Sequence, residues 1–224
     1  MENNNYPTIK NGLLLILIYI GITLSSVIVI AIIRRIFTIG IDSPINDILG
    51  IVAKILGYLL IFKIGLKKAK RPFNKIFKFN KVPGSIWIFF ITTMFGLIII
   101  LSEIDNLVNL VLPMPSFLVN LFLKFIISKN IILSIILVTI IPPIFEEMFF
   151  RGLLVDGFKR NYTLSKTILV SSLFFGFIHM NPWQFVTAFL LGILFSWVCI
   201  KTNSILLPIF GHFLNNFLIL IVQR

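Results

Sequence analysis

Two adjacent acidic residues stand out in an apolar stretch of the sequence, Glu146 and Glu147 in the run PPIFEEMFFR. Glu147 and Arg151 are four residues apart, so on a helix they share one face and can form an ion pair. Glu146 points about 100° away around the helix, where it has no local cation. We therefore expect the Glu147–Arg151 pair to fix the helix and Glu146 to stay free as a base. The alternative is that all three residues merely anchor a helix end at a membrane interface.

The only two histidines of the chain lie in apolar stretches of its C-terminal half. His179 closes the run FFGFIH, and His212 opens the run HFLNN. His212 and Asn216 are four residues apart, so both project from one helix face and present two donors toward a common point. A single histidine in such a place is more often a hydrogen-bonded interior residue than a catalyst, but the coincidence of two favours a joint site.

These residue types predict the hydrolysis of a peptide bond. That reaction needs a base to activate water, a proton carrier for the leaving amine, and donors for the oxyanion. Glu146 is the candidate base, with His179 sharing its water or carrying its proton. His212 and Asn216 are the candidate oxyanion donors. Alternatively, Glu146, His179 and His212 ligate a zinc ion, since such ligands in threes form catalytic zinc sites. The spacing does not decide between these mechanisms, although no His-Glu-x-x-His motif is present.

The composition predicts that lipid surrounds most of the chain. Of its 224 residues, 58% are hydrophobic and 12% are charged, and the mean hydropathy is +1.05, whereas a soluble domain has roughly 25% charged residues. Apolar stretches of this length in lipid must be helices, which satisfy their own backbone groups. We predict an all-α polytopic transmembrane bundle of about seven spans, with an interfacial or re-entrant segment over 106–129. The predicted spans are 12–33, 45–64, 84–101, 130–142, 164–179, 183–200 and 205–222.

Prolines and isolated charges set the predicted ends of the spans. The Pro142-Pro143 pair cannot continue an unbroken helical ladder, so we expect the fourth span to kink or restart just before Phe145. The third span is predicted to end near Leu101, ahead of two acidic residues. Lys54 lies inside the second span, where it must face other helices, reach the interface, or border a wet cavity.

The net charge of +12 is concentrated in one loop, since eight basic residues lie between Lys63 and Lys81. A basic loop beside a span indicates a cytoplasmic location with some attraction to anionic lipid. Nucleic-acid binding is not indicated, because the sequence has no known nucleic-acid-binding motif beside this cluster of basic residues. If successive spans cross the membrane in alternating directions, the N-terminus and the active region then lie on the cytoplasmic side. The same alternation places Arg151, Lys159, Arg160, Lys166 and Lys201 inside, and Arg34, Arg35, Lys124 and Lys129 outside.

The single cysteine, Cys199, is predicted to be a buried core residue.

The three polar clusters together resemble the CAAX protease and bacteriocin-processing family, also called the Abi family, of intramembrane proteases. Its signature is Glu-Glu-x-x-x-Arg, then Phe-x-x-x-His, then His-x-x-x-Asn or Asp, each on a separate membrane helix. The matching residues here are Glu146, Glu147 and Arg151, then Phe175 and His179, then His212 and Asn216. The resemblance covers residues 140–224, and it implies a catalytic helical core over 130–224 behind N-terminal helices over 1–129, whose basic loop spans about 63–83.

The resemblance implies a CAAX prenyl protease-like endopeptidase that cuts a membrane-associated protein or peptide. In that reading Glu147, Arg151 and Phe175 support the catalytic groups. We favour a metal-free glutamate mechanism, with a divalent metal such as zinc as the alternative. Richness in Ile, Asn and Lys suggests AT-rich coding and hence a bacterial plasma membrane. Two rival functions stay open: a non-catalytic immunity or binding protein of the same fold, and a transporter in which Glu146, Lys54 and His179 relay protons or ions.

Overall fold

The computed structural model describes residues 5–40, 43–119 and 130–222, and within these ranges it contains helices and no strand. Five helices are long and apolar enough to cross a membrane: α1 (Ile9–Ile36), α2 (Pro44–Ala69), α4 (Gly84–Val111), α5 (Ile131–Asn161) and α7 (Pro182–Thr202). Two shorter apolar helices are α6 (Leu164–Phe177) and α8 (Leu206–Val222), and α3 (Phe73–Ile76) is a single turn. The predicted all-α fold is confirmed, and these seven apolar helices agree with about seven spans.

The α5 helix corrects the predicted end of the fourth span. It runs unbroken past Pro142 and Pro143, so Glu146 lies midway along the helix and not at its end. The prolines are accommodated because the preceding turn, Ile135–Ile140, is π-helical, and a π-turn shifts the hydrogen-bond ladder by one residue. A second π-helical stretch, Met148–Leu154, follows the two glutamates. Such stretches inside α-helices are frequent at functional sites.

The α4 helix is also longer than predicted, because it continues past Leu101 to Val111 and includes Glu103 and Asp105. Isolated acidic residues do not stop a helix, whereas proline restricts the residue before it and cannot donate a backbone hydrogen bond. The helix therefore ends just before Pro113. The predicted interfacial or re-entrant segment over 106–129 is wrong in its first turns, which belong to α4, and its part over 120–129 lies outside the described residues.

Two clusters of buried apolar side chains hold the bundle together. The larger cluster joins α1, α2 and the loop after α2 to α5 and α6, and aromatic and leucine side chains of α5 lie at its centre. The smaller cluster joins α4, α7 and α8. Many large apolar side chains face outward, such as Phe89 at 72% exposure and Leu110 at 77%. Water would penalise such a surface, whereas lipid accepts it.

Polar contacts gather four chain segments on one side of the bundle. The Arg160 guanidinium donates to the Tyr6 carbonyl oxygen at 2.7 Å, so the N-terminus meets the end of α5. The Asn80 amide donates to the Asn203 carbonyl oxygen at 2.7 Å, so the basic loop meets the turn after α7. These four segments therefore lie on the same side of the bundle. Arg151, which was predicted to lie in the loops of this side, is instead buried inside the bundle at 2% exposure.

Candidate active site

The centre of the site is an ion pair buried inside α5, as the spacing predicted. The Arg151 Nη1 donates to Glu147 Oε1 at 2.9 Å, and both side chains are fully buried. The second arm of the guanidinium donates to the Gly192 carbonyl oxygen on α7 at 3.2 Å. A Cβ at Gly192 would lie 2.9 Å from the Cβ of Ser172, so glycine here permits the close approach of α6 and α7.

Aromatic rings enclose the Arg151 guanidinium. Its central carbon lies 4.3 Å from the ring centroid of Phe175, 5.4 Å from Phe195 and 5.8 Å from Phe150. These contacts come from α6, α7 and α5, so one cation fixes three helices. The electrostatic attraction between a cation and an aromatic face is strongest away from water. Phe175 is 1% exposed and packs on the Arg151 guanidinium. This contact is a way in which Phe175 can support the ion pair.

The same glutamate oxygen also contacts His212, the one histidine of α8. Nδ1 of His212 lies 2.9 Å from Glu147 Oε1, and the ring is 4% exposed. Since an ionised carboxylate only accepts hydrogen bonds, Nδ1 carries the proton and the other nitrogen, Nε2, faces the site. Nε2 lies 4.0 Å from Glu146 Oε2. The two neighbouring glutamates therefore lie near different nitrogens of one imidazole, Glu147 at Nδ1 and Glu146 on the side of Nε2.

Glu146 has a cation partner on another helix. Nζ of Lys54 on α2 lies 3.7 Å from Glu146 Oε1. The other oxygen, Oε2, is buried and has no hydrogen-bond partner among the described residues. Glu146 is 6% exposed, so one oxygen faces a compensating charge while the other is directed at the His212 imidazole.

His179 follows the end of α6, in the short link to α7. Its ring centroid lies 5.4 Å from that of Phe175, which lies 5.5 Å from that of His212. Phe175 thus separates and orients the two imidazoles. His179 and Glu146 are close enough to interact electrostatically. The link is fixed because Asn181 accepts from the Trp183 backbone N–H at 3.0 Å and so begins α7.

Asn216 is occupied by the backbone of α5. Its amide donates to the Val138 carbonyl oxygen at 2.9 Å. In an α-helix this carbonyl would accept from residue 142 and in a π-helix from residue 143, but both are prolines without an N–H. Asn216 supplies the missing donor. Both His212 and Asn216 face α5, but they contact different groups, the Glu147 carboxylate and the Val138 carbonyl.

Two residues of α2 and one of α1 complete the surroundings of Glu146. Tyr58 is fully buried, lies one turn after Lys54 and places its ring 5.5 Å from that of Phe145. The Tyr19 ring of α1 packs on it at 4.5 Å. Lys54 had a visible signal as a charged residue in the middle of an apolar span, and Tyr58 shares its helix face at i+4. Nothing in the sequence distinguished Tyr19.

An open apolar groove of about 180 Å³ runs beside the site between α5 and α8. Its lining residues adjoin Glu146 and His212 along these helices: Ile140, Pro143, Ile144, Leu206, Ile209, Phe210 and Phe213. The groove is open toward the outer surface of the bundle, where a membrane protein meets lipid. An apolar segment lying in the membrane could thus approach the polar groups without first entering water.

The alternative zinc site would need Glu146, His179 and His212 around one ion. Within the described part of the chain, no three His, Cys, Asp or Glu side chains stand close enough together to hold one metal ion. His212 directs one nitrogen at Glu147, and Glu146 directs one oxygen at Lys54. Zinc ligands lie about 2.0–2.2 Å from the metal, so Glu146, His179 and His212 would have to move together to share an ion.

Comparison with known families supports the resemblance seen in the three motifs. Residues 127–218 match the family described as type II CAAX prenyl endopeptidase Rce1-like. The matched range contains α5 to most of α8, and with them every signature residue. The predicted resemblance is confirmed over this range, which is the part of the chain that carries the site.

Curated relatives match similar shares of the chain. The membrane-embedded CAAX protease MroQ of Staphylococcus aureus (strain USA300) is 34% identical over 105 residues, 44% of this chain and 42% of its own length. An uncharacterized 24.3 kDa protein of Escherichia coli is 32% identical over 108 residues, covering 46% and 49% of the two chains. YdiL of Bacillus subtilis (strain 168), provisionally named a membrane peptidase, is 30% identical over 91 residues, covering 41% and 37%. The matched segment spans less than half of each relative, and no solved structure gives a significant match.

Proposed function

We propose that this chain is an intramembrane endopeptidase that cuts a membrane-associated protein or peptide. The observation that carries the proposal is the placement of Glu146 Oε2 opposite His212 Nε2, 4.0 Å apart in a buried site. Two polar atoms at this separation can share a water molecule between them. The family match at residues 127–218 supports the same reaction class, as does the named activity of MroQ.

Glu146 is the proposed base. It takes a proton from water, and the resulting hydroxide attacks the carbonyl carbon of the scissile peptide bond. The proton then reaches the leaving nitrogen through Glu146 or His179, and the carbon–nitrogen bond breaks. Burial strengthens this electrostatic chemistry, because the side chains need not compete with bulk water.

His212 and Asn216 are the proposed oxyanion donors. His212 can donate from Nε2 only when the ring carries both protons, with Nδ1–H retained on Glu147. Asn216 has a second amide hydrogen besides the one on Val138, so it can hold the backbone of α5 and the oxyanion together. Glu147 and Arg151 position His212 without touching the substrate.

The groove between α5 and α8 supports a substrate that arrives through the lipid. It adjoins both proposed catalytic helices and is lined by apolar side chains. We further propose that the protein lies in a bacterial plasma membrane with its N-terminus and basic loop in the cytoplasm, in accordance with the distribution of positive charge. Profiling of peptide termini in membranes from cells with and without the protein tests the proposed activity, because termini that require the protein identify a substrate.

Lys54 gives a prediction about the charge around the base. We expect Lys54→Met to slow cleavage about fivefold to tenfold, because a buried carboxylate loses the cation that offsets its charge. Lys54→Arg keeps a cation at the same place and should retain most activity. Initial rates on the identified substrate measure the effect. Lys201→Met removes an exposed lysine far from Glu146 and serves as the control. Equal rates for Lys54→Met and wild type would remove Lys54 from the mechanism.

Metal dependence gives a second prediction. For the metal-free mechanism, prolonged treatment of purified protein with a strong zinc chelator should leave the cleavage rate within about twofold of the untreated value, because no ligand bond is lost. The rate is measured before chelation, after chelation and after zinc is restored. A large loss that zinc reverses would favour the alternative in which Glu146, His179 and His212 bind the ion.

A further inference from the structure

A buried carboxylate near the end of α5 is surrounded by cations. Asp156 is 4% exposed, and its carboxylate binds the guanidinium groups of Arg71 and Arg160. Nζ of Lys78 lies 3.7 Å away and Nζ of Lys159 lies 3.9 Å away. Four cations therefore share one carboxylate, which leaves three positive charges in excess. We call these five residues the Asp156 cluster.

Lys78 in this cluster is held by the fold. Its backbone carbonyl accepts from the Ile205 N–H at 2.9 Å, and its Nζ donates to Asn203 Oδ1 at 3.0 Å. The next residues of the loop are fixed in the same way, since Ser204 Oγ donates to the Asn80 carbonyl oxygen at 2.7 Å. The ammonium group is thus presented from a fixed backbone, unlike that of a freely moving surface lysine.

Lys78 and Lys159 line one small cleft. Burial, together with the neighbouring Lys159, lowers the pKa of the Lys78 ammonium. The cleft lies between the loop after α3, the end of α5 and the turn after α7, and it has room for one water-sized group of about 10 Å³. Asp156 and Arg151 also line the cleft. Three cations thus face one carboxylate there, and the remaining positive charge favours an additional anionic oxygen.

The position of the Asp156 cluster indicates where the anion comes from. The cluster lies at the ends of membrane helices, and the same loop exposes two aromatic side chains, Phe73 at 51% and Phe79 at 45%. Exposed phenylalanines beside lysines and arginines are typical of segments at a membrane surface, where the rings enter the acyl boundary and the cations face the headgroups. A soluble anion would not require these exposed rings.

We propose that the Asp156 cluster binds the phosphate of an anionic phospholipid headgroup. One phosphate oxygen enters the cleft between Lys78 and Lys159, while the acyl chains stay in the adjoining leaflet. A zwitterionic lipid binds less well, because its own cationic group competes for the phosphate charge. This inference does not depend on the proposed proteolysis, since no residue of the Asp156 cluster is a proposed catalytic group. Arg151 borders both the cleft and the candidate site.

Lipid binding to the purified full-length protein in neutral detergent tests the proposal. Phosphatidylglycerol should bind at least about fivefold more tightly than phosphatidylcholine, as measured by native mass spectrometry or by the shift in melting temperature. Lys78→Gln and Lys159→Gln should each weaken phosphatidylglycerol binding about fivefold, the effect expected for one basic residue near a lipid surface. Lys201→Gln, an exposed lysine in the last turn of α7, removes the same charge outside the cluster and should leave binding unchanged.

Three results would overturn the proposal. The first is equal binding of phosphatidylglycerol and phosphatidylcholine. The second is an equal loss in Lys201→Gln, which would mean a diffuse attraction without a site. The third is inorganic phosphate acting as strongly as the lipid at the same phosphate concentration, which would assign the cluster to a soluble anion. If Lys159→Gln does not fold, Lys78→Gln and its charge-retaining partner Lys78→Arg provide the same comparison.

Discussion

Glutamine in place of Glu146 is expected to abolish every cleavage that depends on this protein, while the protein remains folded in the membrane. Glutamine has the shape of glutamate and can still form a hydrogen bond, but it cannot take a proton from water at neutral pH. Loss of a general base lowers a rate by about 10²- to 10⁴-fold. Cleavage in the variant should therefore fall below detection in a cellular assay. Oε2 of Glu146 makes no hydrogen bond to the described residues. Lys54, which pairs with Oε1, is 32% exposed, so loss of the negative charge leaves no fully buried cation without a partner.

Peptide-terminus profiling measures this effect when wild-type protein and Glu146→Gln are produced at matched levels. Glu103→Gln is the matched control, since Glu103 is exposed on α4 and remote from the site. We expect it to give the wild-type profile. Unchanged termini in Glu146→Gln would exclude Glu146 as the base. If wild type itself generates no termini beyond those of cells without the protein, the non-catalytic binding or immunity function becomes the better hypothesis.

The parts of the site that sequence could predict are those governed by spacing along one helix. Glu147 and Arg151 pair because residues four apart share a face, and the structure has this contact at 2.9 Å. Contacts between different helices leave no such spacing pattern in the sequence. The bond from His212 to the Glu147 oxygen joins residues 65 apart in the chain, and it depends on which faces of α5 and α8 meet. The approach of Lys54 to Glu146 is of the same kind.

The proline pair shows why the boundary of the fourth span was mispredicted. Local rules treat Pro142 and Pro143 as breakers, because each lacks an N–H for the helix ladder. The structure keeps the helix by a π-turn before them and by the donor from Asn216 to Val138. That donor comes from another helix, so no rule confined to one segment could supply it. The same contact explains why an asparagine is useful one turn after His212.

Replacing Arg151 with alanine is expected to destabilise the fold strongly. Glu147 is fully buried, and without the guanidinium its carboxylate would be charged in an apolar interior with only His212 as a partner. Breaking one side of a buried pair costs about 3–5 kcal/mol. The variant also loses the cation contacts with rings on three helices and the bond to Gly192. We expect a lower yield of monodisperse protein and a melting temperature in detergent well below that of the wild type.

Arg35→Ala is the control for this loss, since Arg35 is exposed in the last turn of α1 and its removal should leave the melting temperature unchanged. The double variant Glu147→Gln with Arg151→Met removes the stranded charge and should recover part of the stability lost in Arg151→Ala. It should not recover cleavage, because a neutral glutamine can accept from Nδ1–H but does not stabilise the doubly protonated His212 ring that the oxyanion role requires. Recovery of stability without activity would separate the two roles of Glu147, as the partner of Arg151 and as the group that positions His212. A wild-type melting temperature for Arg151→Ala would refute the structural role of the pair.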